Sequence, residues 1–379
     1  MEIVDNLNND ISKLKPLHLG VSVDENAIGG LNRFARELVR AQRDSGIDAT
    51  LLGESNNGLK FQYAHDIGHS DQSKLSKSIR RARKIRELSK DYDVLDVHFA
   101  YSSWPFSERR IPKLCHFQGP WYLESKEMNE SALKVGLKER IERAVLQDFK
   151  MMICLSKAFA DILVTKFDIP ASNIEVIPPG IKRVGSKISR EEIENFRLKF
   201  GLETDDKLVI CVRRLVPRMG IEKLIEALSM MRSVPRVLII GGGILKDALE
   251  RQIKDSGLSE RVTLTGVLSE RDLQTAYSVA SLSVLPSLKL EGFGLSALES
   301  MAYGVPVIAT RIDGLSELMN GLPFEFLVKP GSAMELSKSI SGILNSEHDY
   351  KSIFLEHSTK YDWKDVVKLT NECYETVIK

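Results

Sequence analysis

Apolar and polar positions alternate with two different spacings along this chain. Short runs of Val, Ile and Leu, typical of buried strands, are separated by longer stretches in which apolar residues recur every three to four positions, as in amphipathic helices. This order predicts parallel sheets with helices on both faces. The order restarts in the second half, so we expect an α/β protein with two Rossmann-like, doubly wound domains facing across a cleft. Ligands of such folds bind at the carboxyl ends of the strands.

The predicted elements are distributed evenly over both halves. The first-half strands are Leu17–Val23, Ala49–Gly53, Val94–Phe99, Lys113–Phe117, Met151–Leu155 and Ile174–Ile177. The first-half helices are Gly30–Asp44, Lys74–Lys90, Leu137–Phe149 and Lys157–Lys166. The second-half strands are Leu208–Val212, Val237–Ile240, Val262–Thr265, Leu282–Leu285 and Val305–Ala309. The second-half helices are Ile221–Met231, Ile244–Ser256, Glu270–Ala280, Leu295–Tyr303 and Ala333–Leu344.

The alternation is interrupted once, by "PPGI" at Pro178–Ile181 and the polar segment after it. That segment ends at Ser189, a predicted helix N-cap because acidic residues follow it. We therefore expect one domain over 1–183 and a second over 184–358. The remaining residues, 359–379, have the apolar spacing of a terminal amphipathic helix.

Composition narrows the class of protein. The 379 residues include 53 basic and 52 acidic side chains, a formal net charge of +1, which argues against a nucleic-acid partner. The cysteines are far apart, which favours reduced thiols in a cytoplasmic protein; they are Cys115, Cys154, Cys211 and Cys373. The start of the chain has no signal-peptide pattern, and no apolar run approaches the roughly 20 residues of a membrane span. Any membrane contact is expected to be peripheral, at the inner face.

Two glutamates eight positions apart, Glu291 and Glu299, lie in "EGFGLSALESMAYGVPVIAT". Glu291 is in a loop broken by Gly292 and Gly294, and Glu299 is one to two turns into the helix that follows. Amides at a helix start favour anions, and carboxylates accept hydrogen bonds from sugar hydroxyls. The stretch therefore favours a ligand with phosphates and hydroxyls. The alternative is an ordinary pair of acids near a helix start.

Two further stretches have side chains or amides suited to phosphate. Gly29 and Gly30 lie between a strand and a helix, where glycine lets backbone amides approach a phosphate; a simple tight turn is the alternative. Arg213 and Arg214 directly follow a strand, and Arg218 comes four positions later. Guanidinium groups bind a diphosphate in bidentate fashion. The alternative is a set of surface arginines covering apolar area.

Three segments together resemble the C-terminal half of glycosyltransferase family four, a retaining GT-B family. They are "VRRLVPRMGIEKLIEAL", "VTLTGVLSERDLQTAYSVASLSVLPS" and "EGFGLSALESMAYGVPVIATRIDGLSEL". The resemblance covers most of the chain and is looser in the first half. It implies that the domain over 1–183 binds the acceptor and that the domain over 184–358 binds a nucleotide-sugar. It also implies that the segment 359–379 crosses back onto the N-terminal domain.

The resemblance assigns roles to particular residues. Glu291 and Glu299 match the E-x7-E motif, with Glu291 on the donor sugar hydroxyls and Glu299 on the nucleotide ribose. Arg214 matches the arginine of the GRL motif that holds the diphosphate. His116 in "CHFQGP" matches the family's histidine near the sugar C6 hydroxyl. The catalytic residues implied are Glu291, His116 and Arg214.

The remaining implied donor contacts are mostly backbone. The loop that closes over the phosphates matches Gly29 and Gly30. The turn that receives the nucleobase comprises Thr265, Gly266, Val267 and Leu268. The loop and helix start beside the sugar comprise Gly292, Phe293, Gly294 and Leu295.

One departure from the family pattern affects the phosphate contacts. The family usually has GRLxxxKG, but here Arg213 replaces the first glycine and Met219 replaces the lysine. Loss of that cation removes a charge-assisted hydrogen bond of roughly 1.5–3 kcal/mol. We expect Arg213 or Arg218 to supply the charge; otherwise the enzyme would be weak or inactive.

The sequence thus predicts a retaining glycosyltransferase that moves a hexosyl or N-acetylhexosaminyl group from a nucleoside-diphosphate sugar. UDP-sugars are favoured, with GDP-mannose next, and the acceptor is a hydroxyl of a glycan, a lipid-linked sugar or a small metabolite. No cofactor or metal is expected, because GT-B enzymes need none. One alternative is a GT-B phosphorylase or epimerase. The other, motivated by Met219, is a weakly active sugar-nucleotide-binding subunit.

Other motifs are weaker. Asp91–Asp93 resembles a metal-binding DxD but begins a strand instead of ending one. The chain contains no HExxH, HxH or GxSxG pattern, so neither a zinc site nor a serine hydrolase is predicted. His98 ends a predicted strand and either faces the cleft or is structural.

Two stretches have both a functional and a structural interpretation. Lys74–Lys90 carries eight basic residues and one acidic residue. It is either a solvated helix or a contact for anionic lipid or an anionic acceptor, at about 1 kcal/mol per basic residue near a membrane. Aromatic rings in the first half either stack on a sugar or cyclitol or belong to the core; they are Trp104, Phe106, Phe117, Trp121 and Tyr122.

Overall fold

The computed structural model describes residues 14–25, 29–55, 60–69, 74–103, 110–182 and 188–379, without the side chains of 68, 69, 74–77, 102 and 103. The chain divides into two compact units. The first contains Met1–Lys126, Glu130–Gly180 and Asp362–Lys379, and the second contains Glu127–Asn129 and Ile181–Tyr361. The C-terminal segment therefore groups with the N-terminal unit.

The first unit is built on a parallel sheet of seven strands. The strands are β1 Pro16–Ser22, β2 Thr50–Ser55, β3 Ala64–His69, β4 Val94–Val97, β5 Lys113–Phe117, β6 Met151–Cys154 and β7 Ile174–Val176. Their spatial order is β3-β2-β1-β4-β5-β6-β7, and Leu17 of β1 pairs with Thr50 on one side and Leu95 on the other. The direction of strand succession reverses between β1 and β4, the position at which doubly wound sheets bind ligands.

Helices on both faces of this sheet complete the first unit. They are α1 Gly30–Asp44, α2 Lys74–Leu88, α3 Trp121–Glu127, α4 Ala132–Leu146, α5 Lys157–Phe167 and the terminal helix Trp363–Ile378. In α1, Phe34, Leu38 and Gln42 recur every four residues and are buried. The terminal helix buries Val366, Thr370 and Tyr374 with the same spacing, which confirms its predicted amphipathic character.

The second unit repeats the architecture with six strands. They are β8 Leu208–Val212, β9 Arg236–Ile240, β10 Val262–Gly266, β11 Leu282–Leu285, β12 Val307–Thr310 and β13 Leu327–Val328, in the order β10-β9-β8-β11-β12-β13. The helices are α6 Arg190–Lys199, α7 Ile221–Ser229, α8 Lys246–Asp255, α9 Glu270–Val279, α10 Leu295–Ala302, α11 Asp313–Leu318, α12 Ala333–Leu344 and α13 Lys351–Ser358. The reversal of strand order falls between β8 and β11. Both units are therefore doubly wound, as the alternating pattern predicted.

Most element bounds agree with the sequence prediction to within a few residues. β5, β8, β11, α1 and α12 have the predicted bounds. The prediction missed β3, because its sequence AHDIGH lacks an apolar run. It also missed α3, α11 and α13, which are six to eight residues long and too short for a clear helical period. Helix α4 begins at Ala132 and ends at Leu146, earlier at both ends than predicted.

The four cysteines are free, as predicted, and all four are buried. Burial raises the pKa of the thiols of Cys211 and Cys373 to about 12, so both are protonated and unreactive at neutral pH. In the part of the chain that the structure describes, no helix is long and apolar enough to cross a membrane.

Candidate functional site

A hydrogen-bonded polar group lies just beyond the two strands at the reversal point of the second unit. Arg213 follows β8 directly, and Ser287 lies two residues beyond β11. The Arg213 guanidinium donates to Glu291 Oε2 at 2.6 Å and to Ser287 Oγ at 2.6 Å. The Ser287 hydroxyl in turn donates to Glu291 Oε2 at 3.1 Å. The three side chains thus form a closed hydrogen-bonded triangle at the carboxyl edge of the sheet.

The backbone around Glu291 is held as firmly as its carboxylate. Leu290 has a left-handed conformation with φ 55°, and its carbonyl accepts a 2.6 Å bond from Arg218. The Glu291 amide donates to Asp313 Oδ2 at 3.2 Å, and the Glu291 carbonyl accepts from the Gly314 amide at 3.1 Å. Three other segments of the unit, at Arg213, Arg218 and 313–314, therefore bond to one loop, which gives the carboxylate a fixed orientation.

The second motif glutamate lies on helix α10. Gly294 is the N-cap of this helix, with φ 94°, and an added Cβ there would lie 2.5 Å from Leu315. Glu299 is half-buried, and its carboxylate accepts a 2.7 Å hydrogen bond from the Tyr277 hydroxyl. The Tyr277 ring stacks on Tyr303 at 5.5 Å. Glu299 is thus fixed from α9, away from the bonds that hold Glu291.

Met219 is 5% exposed, in the 3-10 turn Pro217–Met219, and its sulfur lies 3.9 Å from Ser287 Oγ. An apolar side chain in contact with Ser287 therefore occupies the position of the family's lysine. The turn itself is bonded to the Glu291 loop, because the Leu288 amide donates to the Arg218 carbonyl at 2.8 Å. Arg218 is buried, whereas Arg214 is exposed.

The predicted nucleobase turn lies next to the backbone of Arg213. The Gly241 amide donates to the Gly266 carbonyl at 2.9 Å, and an added Cβ on Gly241 would lie 1.9 Å from the Arg213 carbonyl oxygen. Gly266 has φ 71°, and Val267 is half exposed. The glycine run 241–243 after β9 therefore belongs to the site, although sequence reasoning did not assign it. Three glycines directly after an apolar run were the available signal.

The first unit places the predicted phosphate loop at a helix start. Gly29 is the N-cap of α1, with φ 107°, and both Gly29 and Gly30 are exposed. A left-handed glycine at this position leaves the first amides of a 15-residue helix accessible. Phe117 and Tyr122 are buried in the core of the unit, whereas Trp121 is half-buried. Trp104 and Phe106 lie outside the described residues.

His116 is 1% exposed, and its Nε2 donates to Asp96 Oδ2 at 3.1 Å. It belongs to a buried polar network that sequence reasoning did not foresee. Tyr374 of the terminal helix donates to the same oxygen at 2.6 Å. Gln118, the first residue after β5, is half-buried, and in the described part of the chain its Nε2 has no hydrogen-bond partner. The contact of His116 with the donor sugar stays a prediction.

Hydrogen-bond chemistry fixes the proton positions in this network. Gln42 Oε1 only accepts, so His18 Nε2, 2.6 Å away, must donate to it. His18 Nδ1 is then an acceptor and receives the proton of His98 Nε2 at 2.9 Å. Gln42 Nε2 donates onward to the Tyr374 hydroxyl at 3.2 Å. The chain of donors therefore runs from His98 through His18, Gln42 and Tyr374 to Asp96.

The charges of the network follow from its burial. Desolvation lowers the pKa of His18 and of His98, so both are neutral at physiological pH. Burial opposes ionisation of Asp96, but its interaction with His116, which donates to Oδ2, acts in the other direction, and the pKa of Asp96 is lowered. His98 is thus structural. His18, Asp96 and His98 place three potential metal ligands within 4.8 Å, but the His18–His98 contact uses the lone pair that a metal would need.

The aspartates Asp91–Asp93, considered as a DxD motif, precede β4. Asp93 accepts a 2.8 Å hydrogen bond from the Lys15 amide at the start of the neighbouring strand. It therefore aligns β1 with β4 at their amino ends, away from the ligand edge.

Comparison with known proteins identifies the family. Residues 28–183 match the family described as Glycosyltransferase Family 4, and residues 192–358 match Glycosyl transferases group 1. The chain belongs to these glycosyltransferases, and it is an enzyme of the hexosyltransferase class. The resemblance noted in the sequence is thereby confirmed.

One relative spans nearly the whole chain, and another spans about three quarters of it. An uncharacterized glycosyltransferase of Methanocaldococcus jannaschii is 28% identical over 93% of this chain and 95% of its own length. The D-inositol 3-phosphate glycosyltransferase of Mycolicibacterium smegmatis is 32% identical over 73% of this chain and 65% of its own length.

Solved structures share the fold at low sequence identity. Sucrose-phosphate synthase from Thermosynechococcus elongatus has a TM-score of 0.78 at 21% identity, covering 96% of this chain and 99% of its own. HepE from Anabaena, in complex with UDP and glucose, has a TM-score of 0.77 at 20% identity, covering 96% and 100%. The predicted GT-B fold is confirmed.

Proposed function

We propose that this enzyme transfers a hexosyl or N-acetylhexosaminyl group from a nucleoside-diphosphate sugar to a hydroxyl acceptor, with retention at the anomeric carbon. The observation that carries the proposal is the fixed pair Glu291 and Glu299, one on the loop and one on the helix that follow β11. UDP-sugars are the favoured donors and GDP-mannose is next. One fold neighbour was solved with UDP and glucose, and one relative is named as a GDP-mannose-dependent mannosyltransferase, so both donors enter the test.

The second unit supplies the groups for donor binding. Glu291 accepts from the sugar hydroxyls, and Glu299 accepts from the ribose. The exposed guanidinium of Arg214 pairs with the diphosphate, beside the helix start at Gly292–Leu295. The turn 265–268 receives the nucleobase through its backbone. The sequence offers Arg218 and Arg213 as replacements for the lysine missing at Met219. Both arginines are bonded to the Glu291 loop.

The reaction breaks the bond between the anomeric carbon and the diphosphate oxygen and forms a bond to the acceptor oxygen on the same face. The acceptor proton passes to the departing phosphate oxygen. No nucleophilic side chain is required, so catalysis rests on positioning and on neutralising charge on the leaving group. Arg214 and the amides at the α10 start do this, with Gly29 and Gly30 of the first unit as further donors. We propose that no metal takes part, and chelator treatment should leave turnover unchanged.

The acceptor belongs to the first unit in this proposal. Its hydroxyl comes from a glycan, a lipid-linked sugar or a small metabolite. The relatives include a D-inositol 3-phosphate glycosyltransferase and a mannosylfructose-phosphate synthase, whose names specify small phosphorylated polyols and sugars. Trp121, which is half-buried in the helix that follows β5, is proposed to stack on a sugar or cyclitol ring, although Lys138 Nζ lies 4.6 Å from its ring centre.

The basic helix α2 is proposed as a peripheral contact of a cytoplasmic enzyme with anionic lipid. Ile85 and Leu88 face the core, Ile79 is 51% exposed, and Arg81 is paired with Glu54. Sedimentation with anionic and neutral vesicles tests this proposal. Equal binding to both kinds, or to neither, would exclude anionic lipid as the partner.

A ligand panel tests the donor proposal. UDP, GDP and ADP, each free and as common sugar conjugates, should raise the melting temperature only when they bind the folded protein. The nucleotide that binds is then assayed as its sugar conjugate for nucleoside-diphosphate release. Release of free phosphate when a sugar 1-phosphate is supplied as the donor would indicate a phosphorylase. Inversion of a stereocentre of the sugar without transfer would indicate an epimerase. Binding without turnover would indicate a binding subunit.

A further inference from the structure

The guanidinium of Arg213 is enclosed beside Glu291. The Arg213 side chain is 7% exposed and that of Glu291 10%, and Ser287 is fully buried. Both 2.6 Å bonds of the guanidinium use its Nη2 atom and end on these two partners. Arg213 Nε is also enclosed, and in the described part of the chain it has no hydrogen-bond partner.

Because the Arg213 guanidinium is enclosed, it stays paired with Glu291. Removing one member of a buried ion pair leaves the other charge without compensation, which is far more costly than keeping the pair. Arg213 would have to leave both Glu291 and Ser287 to reach a diphosphate. Arg214, the next residue, is exposed, whereas the Arg213 side chain is enclosed.

The pair also determines which part of Glu291 faces a ligand. Arg213 and Ser287 both bond to Oε2, and among the described residues none bonds to Oε1. The backbone of Glu291 is fixed independently, by Asp313 and Gly314. With its backbone fixed and Oε2 occupied, the carboxylate presents Oε1 in one orientation.

We propose that Arg213 is a positioning residue for Glu291 and does not replace the cation missing at Met219. It keeps the carboxylate turned so that Oε1 meets a hydroxyl of the donor sugar. This inference rests on the proposed function, because it assumes that Glu291 contacts that sugar. It separates two neighbouring arginines by role: Arg213 acts through the sugar-binding glutamate, and Arg214 binds the diphosphate.

A double-mutant cycle tests the inference. Arg213→Gln, Glu291→Gln and the double variant are compared in turnover of the sugar donor identified by the panel. Binding of the corresponding free nucleoside diphosphate is measured by calorimetry. Arg213→Gln should lower kcat on the order of 10²-fold, as expected for a misplaced catalytic contact. Its affinity for the free nucleoside diphosphate should change by less than about threefold, since that ligand has no sugar.

Coupling distinguishes action through Glu291 from direct action. In the Glu291→Gln background, Arg213→Gln should lower kcat by less than about threefold further, because the group it positions is already gone. Arg213→Lys should restore part of the turnover by keeping the charge. Arg214→Gln is the matched control and should weaken free nucleoside-diphosphate binding by about tenfold or more.

Three results would overturn the inference. The first is that Arg213→Gln loses as much nucleoside-diphosphate affinity as Arg214→Gln. The second is that the kcat losses of Arg213→Gln and Glu291→Gln multiply in the double variant, and the third is an unchanged kcat in Arg213→Gln. Absence of nucleotide binding by the wild-type protein would instead overturn the proposed function. If Arg213→Gln does not fold, Ser287→Ala removes one bond from the same triangle. It should lower kcat with nucleoside-diphosphate affinity retained, and unchanged kcat would again contradict the inference.

Discussion

The backbone beside Glu291 leaves no room for a side chain at one residue, Gly314. A Cβ on Gly314 would lie 2.2 Å from the Gly292 carbonyl oxygen and 2.8 Å from Phe293 Cα. Its amide also donates to the Glu291 carbonyl. Gly314→Ala must therefore displace the glutamate loop. We expect a loss of unfolding free energy of about 1–3 kcal/mol, as for overpacking, with a marked fall in donor turnover.

Gly136 is the matched control for this substitution. It lies inside helix α4, and a Cβ there would meet nothing within 4 Å. Gly136→Ala should raise the free energy of unfolding by about 1 kcal/mol and leave turnover unchanged, because alanine favours the helix. Denaturant unfolding of both variants provides the comparison. Equal stability of the two would show that the close approach at Gly314 is not rigid.

Single residues with a local sequence signal could be selected as candidates. Glu291 and Glu299 were identified because glycines and a helix start surround them, and Arg214 because it follows a strand. The contact between Arg213 and Glu291 joins positions 78 apart, and no spacing rule encodes it. Asp313 was missed for the same reason, since it reaches Glu291 from 22 positions away.

Among the elements, helix α6 has a complete capping box. The Ser189 hydroxyl accepts from the Glu192 amide at 3.2 Å, and the Glu192 carboxylate accepts from the Ser189 amide at 2.8 Å. Glu192 also receives a 2.7 Å bond from Arg271 of helix α9. Ser189→Ala should lower the free energy of unfolding of the second unit by about 0.5–2 kcal/mol.

Ser131 provides the comparison for that prediction. It occupies the N-cap of helix α4, but its side chain makes no capping hydrogen bond. Ser131→Ala should therefore change stability by less than about 0.5 kcal/mol. Chemical denaturation of the two variants measures both effects. A similar loss in each would mean that helix propensity, and not the capping bond, determines the cost.

Elements were predictable where a strong period and a cap occur together. Ser189 followed by acidic residues predicted the helix start that the structure confirms. Strand β3 was not predictable, because it carries His65 and Asp66 in a six-residue stretch and is defined by pairing with β2. Pairing with a neighbour is a tertiary property, and β-propensity alone does not reveal it.

For the whole molecule, the tyrosine Tyr374 connects the end of the chain to the centre of the first sheet. Its hydroxyl donates to Asp96 at 2.6 Å and accepts from Gln42 at 3.2 Å. Tyr374→Phe leaves a buried carboxylate with one donor fewer, so the free energy of unfolding should fall by about 1.5–3 kcal/mol. Tyr350→Phe is the control, because its exposed hydroxyl bonds to Glu325 at 3.4 Å. Equal melting temperatures for the two variants would contradict the connection.

The two-sheet architecture was predictable because it repeats one local pattern. The buried network was not, because it combines His18, Gln42, Asp96, His98, His116 and Tyr374 from five parts of the chain. Each of these residues has a common alternative role when considered alone. Only the pairing of β1, β4 and β5, together with the packing of two helices, brings them together.

The same network predicts how the stability of the molecule depends on pH. Burial lowers the pKa of His98 well below 6.5, so the unfolded chain binds a proton there that the folded protein does not. The free energy of unfolding should therefore fall as pH drops below about 6.5, by up to about 1.4 kcal/mol per pH unit for this histidine. The groups facing it are His18, His116 and Asp96; the pKa of His18 is lowered too, and Asp96 stays ionised in this range.

His98→Asn isolates this contribution, because asparagine does not titrate. Glu142 acts with the opposite sign: burial raises its pKa to about 7, so it removes stability as pH rises from about 4.5 to 7. Glu142 is present in both the wild-type protein and the His98→Asn variant, so its contribution cancels when their unfolding free energies are compared. Between about pH 7.5 and pH 5.5 the wild-type protein should lose about 1–1.5 kcal/mol more unfolding free energy than the variant. Parallel stability curves would mean that His98 binds its proton equally well in the folded and unfolded protein, and that the network does not hold it neutral.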